Sequence, residues 1–217
     1  MNVFDILGPV MIGPSSSHTA GAARIGRITR TLLGGPAVKA DILLHGSFAK
    51  TYKGHGTDKA LIAGIMGMAT DDVQIRQAPE LAKQAGLDVH ISTGDIDGAH
   101  PNTAKVTLTD AKSRQVSLLG SSIGGGNILV TEVNGMEVSL TGQYATLIVL
   151  HKDAPGTIAA VTEVMAEEGI NICNFRLSRQ KKGGEAVMTI ELDGKPSPEI
   201  NKKINTLPNI YSSTMLQ

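Results

Sequence analysis

Apolar residues recur at helical spacing over residues 20–33, where Ile25, Ile28 and Leu32 share one face and Arg24, Arg27 and Arg30 another. Gly34-Gly35-Pro36 ends that helix, and the arginine stripe is expected to be its solvated face. Val38–Leu44 is a short apolar run, predicted as a buried strand that closes at His45-Gly46-Ser47. Phe48–Gly54 follows as a short helical or turn segment. Lys59–Ala69 is apolar nearly all round, which predicts a buried helix, closely packed at Gly64 and Gly67 and N-capped by Thr57. Residues 79–85 form a further predicted helix opened by Pro79, and Asp88–Ser92 a strand. Ala104–Thr109 and Gln115–Leu119 alternate about the turn Asp110-Ala111-Lys112-Ser113. Ile128–Val133 and Met136–Leu140 flank Asn134-Gly135, a strong hairpin signal.

The pattern restarts around Thr141-Gly142-Gln143, where a linker is expected, giving predicted domains at 1–142 and 146–217. Beyond it Ala145–Leu150 reads as a strand, and Pro155–Glu168 as a helix with Ile158, Val161 and Met165 inward, stopped by Gly169. Ile170–Leu177 and Glu185–Leu192 are strands about the Lys181–Gly184 turn. Ile200, Ile204 and Leu207 mark a second helix, and Ile210–Leu216 a last strand. The order is βαββαβ, a ferredoxin-like unit with two helices on one face of an antiparallel sheet, so the chain as a whole is of the α+β class.

Composition narrows the function. Lys plus Arg and Asp plus Glu are both 20, so no charge excess points to nucleic acid or an anionic membrane. Aromatics make up 3% of the chain and Trp is absent, which leaves little to stack on bases. No run has membrane length, and no basic leader precedes an apolar stretch, so a cytoplasmic soluble protein is expected. Cys173 is the one cysteine, expected as a small buried hydrophobe, so neither a disulfide nor a cluster held by several thiolates can be built from this chain.

The chemistry concentrates in the first half. Gly13-Pro14-Ser15-Ser16-Ser17-His18-Thr19 places hydroxyls and an imidazole ahead of a helix, where unpaired N–H groups and the helix dipole favour an anion. An over-rich helix cap is the bland alternative. His45-Gly46-Ser47, His55-Gly56-Thr57 and His100-Pro101-Asn102-Thr103 repeat that composition, and the four loops are expected to converge on a small anionic substrate. His55, ahead of an apolar helix, sits where the dipole keeps a ring neutral and able to act as a base. Ser121-Ser122-Ile123-Gly124-Gly125-Gly126-Asn127 reads as a Gly-rich connector able to cradle a carboxylate with backbone N–H groups. A serine hydrolase lacks its G-x-S-x-G elbow, and the histidine spacings match no metal-ligand pattern.

GPSSSHTAG at 13–21, LLHGSFAKTYKGHGTDKA at 43–60, HPNT at 100–103 and SSIGGGNI at 121–128 together resemble the β chain of the two-subunit, iron-sulfur L-serine dehydratases. The remainder, with Asp153-Ala154-Pro155-Gly156 opening its first helix, resembles an ACT domain. The first domain is also similar to the allosteric substrate-binding domain of certain phosphoglycerate dehydrogenases. The resemblance implies conversion of L-serine to pyruvate and ammonia, with a 4Fe-4S cluster carried by a partner α chain. It implies proton handling by His18, His45 or His55, and substrate binding by Ser15, Ser16, Ser17, Thr19, Ser47, Lys53, Gly56, Thr57, His100, Asn102 and Gly125. An effector would sit at Asp153, Pro155, Gly156 and Asn171, and the exposed sheet edge of such a unit suits a homodimer. A non-catalytic amino-acid sensor is the competing function. The chain departs from the family pattern at Phe48 and Tyr52, which bears on the shape of the substrate pocket.

Overall fold

A computed structural model describes residues 11, 13, 15–141, 144–194, 196, 197 and 199–216. They form two compact units that divide between Asn134 and Gly135. The linker expected at Thr141-Gly142-Gln143 falls later, and its Gly142 and Gln143 lie outside the described residues.

In the first unit a π-helical turn, Ser16–Gly21, runs straight into helix α1, Ala22–Leu33. Strand β1, Lys39–Leu44, leads to α2, Gly46–His55, and α3, Thr57–Met66. A 3-10 turn, Val73–Gln77, and α4, Ala78–Gln84, precede strand β2, Asp88–Thr93, which lies parallel to β1. An antiparallel run follows: β3, Thr103–Thr109, β4, Gln115–Gly124, and β5, Asn127–Val133. Within this unit the sheet order is β2-β1-β3-β4-β5, and β6, Met136–Leu140, opens the second unit. Alternating burial along β1, β3 and β4 marks a sheet with one face in the core.

The helices above the sheet meet backbone to backbone. A Cβ on Gly64 of α3 would stand 2.0 Å from the Ala23 carbonyl oxygen, and one on Gly26 of α1 would stand 2.4 Å from that of Leu61. Side-chain-free surfaces at both positions let α1 and α3 cross this closely. The arginine stripe is not simply solvated: Arg24 donates to Gly126 O at 2.9 Å and Arg30 to Ile65 O at 3.0 Å. Each guanidinium satisfies a carbonyl that its own element leaves free, at a hairpin tip and a helix C-terminus.

Boundaries beside the candidate motifs differ from expectation. Thr57 does not N-cap α3: Gly56, at φ +72°, ends α2 and starts α3 with no loop between them. His55 is therefore the last residue of α2, where two helix ends of opposite sign meet, and the single-dipole argument for it fails. The Gly-rich connector is mostly strand, because Ser121 pairs with Thr103 and Leu129, and Ser122 with Ile128. Its backbone groups are spent on the ladder, and only Gly125 and Gly126 form the turn.

The second unit holds β7, Ala145–Lys152, α5, Thr157–Glu167, β8, Ile172–Arg179, β9, Glu185–Leu192, α6, Glu199–Asn205, and β10, Ile210–Leu216. Its antiparallel order β10-β7-β9-β8 is the expected ferredoxin-like arrangement. Leu147, Val149, Met188 and Ile190 of the sheet bury against Val161, Met165, Ile200 and Ile204. Ile158 points outward, 45% exposed, because Thr157 takes the inward position of the first turn in the stripe Thr157, Val161, Val164, Met165. Cys173 is exposed rather than buried: it is the bulged residue of edge strand β8, between the pairings of Ile172 and Asn174.

Candidate functional site

The π-helical turn is anchored at both ends. Ser15 caps it, its hydroxyl accepting the His18 amide, while Thr19 donates its amide and its hydroxyl back to the Ser15 carbonyl. The Thr19 hydroxyl, expected at the substrate, thus holds the turn. Gly21 lies flat on β4, where a Cβ would be 2.1 Å from Ser122 Oγ. A wider helical turn re-aims side chains, which is why such turns gather at functional sites.

This turn delivers His18 to α2. The imidazole is bracketed by two hydroxyls, Ser15 Oγ at 3.3 Å from Nδ1 and Ser47 Oγ at 3.2 Å from Nε2. The His55 ring stands edge-on with centroids 4.8 Å apart, and Phe48 closes another side at 5.2 Å. Burial first, then the charge of His55, hold the His18 imidazole below the usual histidine range, so the ring is neutral near pH 7. Phe48 is fully buried, so this departure from the family pattern forms part of the wall around His18.

A second loop fixes α2 from below. Gly46, at φ +59°, has Pro101 so close that a Cβ would lie 2.5 Å from its carbonyl oxygen. Ser47 donates its amide to that oxygen at 2.7 Å, and His45 donates its amide to Thr103 O at 3.0 Å. His45 Nδ1 accepts from the Ile96 amide at 3.1 Å, with Asp95 3.8 Å away. His100 Nδ1 accepts from the Asn102 amide, and Asn102 is tied to β4 by its carbonyl, which takes the Ser122 amide at 2.9 Å. Thr103 Oγ1 lies 2.5 Å from His100 O and 2.6 Å from Ser121 Oγ.

Ser15, His18, Ser47 and His55 therefore meet, and His45, His100 and Asn102 join them through the backbone contact at Pro101. Ser16 and Ser17 stand half-buried in the π-helical turn. Gly56 is the α2–α3 junction, and Thr57 Oγ1 is buried with no partner among the described residues. Lys53 is exposed with its ammonium 5.8 Å from the Tyr52 ring centre, on a different face of α2 from Ser47 and His55. Gly125 is an exposed hairpin tip. Phe48, Pro101, Thr103, Ser121 and Ser122 were not singled out as site residues by sequence, although the HPNT and SSIGGGNI stretches flagged four of them.

In the second unit Asp153 is already engaged: its carboxylate accepts from Gly183 N at 2.9 Å and from Arg179 Nη1 at 2.7 Å. Those bonds hold the carboxyl below the usual carboxylate range. Asn171 donates to Asp193 at 2.6 Å, and Pro155 and Gly156 are exposed, Gly156 at φ +86°. Two buried groups near this loop lack partners among the described residues, His151 Nε2 and Thr157 Oγ1.

The class these features define is a two-unit α+β protein with a serine–histidine site in its first unit and an ACT-type ferredoxin-like second. The family model described as serine dehydratase beta chain matches residues 2–98, and that of the ACT domain residues 145–209. The chain is 46% identical to the probable L-serine dehydratase beta chain of Bacillus subtilis (strain 168), over 99% of this chain and 97% of that one. It is 37% identical to the L-serine dehydratase beta chain of Peptoniphilus asaccharolyticus, over 91% and 89% of the two chains. A D-3-phosphoglycerate dehydrogenase of Methanocaldococcus jannaschii is 29% identical over 87% of this chain, which spans 36% of that protein. The chain belongs to the L-serine dehydratase beta-chain family.

The residues present do not fit an iron-sulfur cluster: the sequence has one cysteine, it is exposed on β8, and the described residues hold no group of three or more His, Cys, Asp or Glu side chains placed for a metal. No described helix is long and apolar enough to cross a membrane.

Proposed function

We propose that this chain is the β subunit of a cytoplasmic L-serine dehydratase that forms pyruvate and ammonia together with an α chain carrying the 4Fe-4S cluster. The observation that carries the reading is the neutral, doubly hydrogen-bonded His18 packed against His55, a proton-handling pair beside the hydroxyls of a π-helical turn. Ser16, Ser17 and Ser47 supply hydroxyl donors for the substrate carboxylate, while Ser15 holds the His18 ring. His18, His45 or His55 takes the α proton, water leaves from the β carbon, and the resulting enamine hydrolyses to the keto acid and ammonia. The β8 edge, exposed from Cys173 to Arg176, is the surface for self-pairing, and the unpartnered His151 and Thr157 groups support an amino-acid effector at the 153–156 loop.

Anaerobic mixing with the α chain tests this: the purified chain alone should be colourless and inactive, and should gain serine dehydration only in the mixture. Activity of the isolated chain, or none after reconstitution, overturns it. The match to one segment of a dehydrogenase favours a second reading, a non-catalytic amino-acid-sensing subunit. In that case His18→Ala leaves the partner's turnover intact and abolishes only a response to ligand.

A further inference from the structure

We infer that Ser47 orients His18, accepting the Nε2 proton of the neutral ring and turning its own hydrogen outward, so that Ser15, His18 and Ser47 form one directed hydrogen-bond chain ending in a donor to the substrate carboxylate. This assignment of direction rests on the reading of the cluster as the substrate site. Ser15 Oγ lies 3.3 Å from the His18 amide nitrogen and 3.3 Å from Nδ1. An amide only donates, so Ser15 Oγ accepts there. A proton on Nδ1 would bring a second N–H to the same oxygen and leave the Ser15 hydrogen without an acceptor among the described residues. With Nδ1 bare, that hydrogen has one. The ring proton then sits on Nε2, and Ser47 Oγ, 3.2 Å away, accepts it.

Ser47 is built for a fixed role. Its amide is held by Pro101 O at 2.7 Å, its carbonyl takes the Thr51 hydroxyl at 2.8 Å, and Gly46 is wedged against Pro101. Its hydroxyl contacts only His18 among the described residues, so its hydrogen is free for a ligand, and the side chain is half-buried rather than sealed. Hydrogen bonds aligned in series polarise one another, which makes the terminal hydroxyl a better donor to an anion than an isolated serine. Burial of His18 and its neighbour His55 keep the ring in the neutral form that the chain requires.

Long-range proton–nitrogen correlation of the full chain with 15N-labelled histidine reads the tautomer directly and does not depend on any activity. The expected result is a His18 protonated at Nε2 and bare at Nδ1. Ser47→Ala should mix the tautomers or speed exchange of the Nε2 proton, and Ser47→Thr should restore the wild-type signals. Ser15→Ala, which leaves α2 untouched, should likewise release Nδ1. A ring protonated at Nδ1, or a tautomer indifferent to both alanine variants, overturns the inference while leaving the dehydratase reading standing. In the reconstituted enzyme, Ser47→Ala should raise KM for L-serine about tenfold, the loss of one hydrogen bond to a charged group, with kcat changed less. A fall in kcat at constant KM overturns the carboxylate role.

Discussion

The two units spend their polar side chains in opposite ways. In the second, side-chain bonds within the chain tie the connections: Asp153 of the loop after β7 to Arg179 and Gly183, Asn171 before β8 to Asp193, and Lys203 of α6 to Glu168 at the end of α5. In the first, hydroxyls and imidazoles are drawn together and left with valence to spare: Ser15 and Ser47 share one ring, and His55 offers its edge. The difference lies in what holds each loop. Ion pairs and side-chain hydrogen bonds hold these connections of the second unit, whereas bare glycine surfaces hold the site loops of the first, at Gly21 on Ser122 and Gly46 on Pro101. A glycine seated against Pro101 backbone, or against the Ser122 side chain, fixes a loop without consuming the side chains of Ser15, His18 and Ser47, so they remain available for a ligand.

The sharpest way to break this comparison is at His18. In the reconstituted enzyme, His18→Asn should lower kcat/KM by about a hundredfold to ten-thousandfold, the range for a proton-handling group. Asp153→Asn should leave turnover near wild type. Equal effects would mean that spare valence does not mark the site. The His18 ring also gives a pH signature. Its folded-state pKa lies below the ordinary 6.5, so its contribution to stability is complete above that pH and is lost as pH falls from it toward the folded value. His18→Asn should flatten the acid side of the unfolding curve below pH 6.5.

Next in size is the glycine contact beneath the site. Gly64→Ala puts a Cβ 2.0 Å from the Ala23 carbonyl oxygen, a backbone atom that cannot rotate away. The expected cost is about 3 kcal/mol, the upper range for overpacking. In calorimetry the transition of the first unit should drop and that of the second stay in place. A shift of both would show that the units unfold together.

Much of the fold was legible because its signals are local. Glu185–Leu192 and Ile210–Leu216 coincide with β9 and β10, and the Asn134-Gly135 turn joins two strands as expected, Asn134 at φ +51° and Gly135 at +75°. The errors arose where distant segments overrule local preference. Ser121-Ser122-Ile123-Gly124 has poor strand composition, yet pairing with β3 and β5 makes it strand. Thr57 looks like a cap, but the left-handed Gly56 leaves no room for a cap residue between the helices. Of the site, the HGS and HPNT motifs were visible, and their contact was not: Gly46 meets Pro101 across the whole α2–β2 segment, and no pattern in either motif announces it. In the sequence Phe48 stands out only as a departure from the family pattern, whereas in the fold it packs against His18.

The ionic closure of the second unit predicts its own pH dependence. Asp153 has its carboxyl lowered by the Gly183 amide first and the Arg179 guanidinium second, so the stabilisation is present above the ordinary carboxylate value of 3.8 and is lost as pH falls through the folded one. Asp153→Asn should remove that part of the acid transition of the second unit and leave the first unit's untouched.

The smallest expected effect separates steric from conformational need for glycine. Gly156 precedes α5 at φ +86°, and a Cβ there would meet nothing within 4 Å. Gly156→Ala therefore pays only for the left-handed backbone, about 1 kcal/mol, against the larger clash at Gly64. Its effect should appear as a small drop in the second unit's melting temperature, and Gly156→Asn, whose side chain tolerates that region, should recover part of it. If Gly156→Ala instead cost as much as Gly64→Ala, the β7–α5 loop would have to be pressed against something the chain alone does not contain, and the contrast between a first unit closed by packed backbone and a second closed by side-chain bonds would fail at its simplest point.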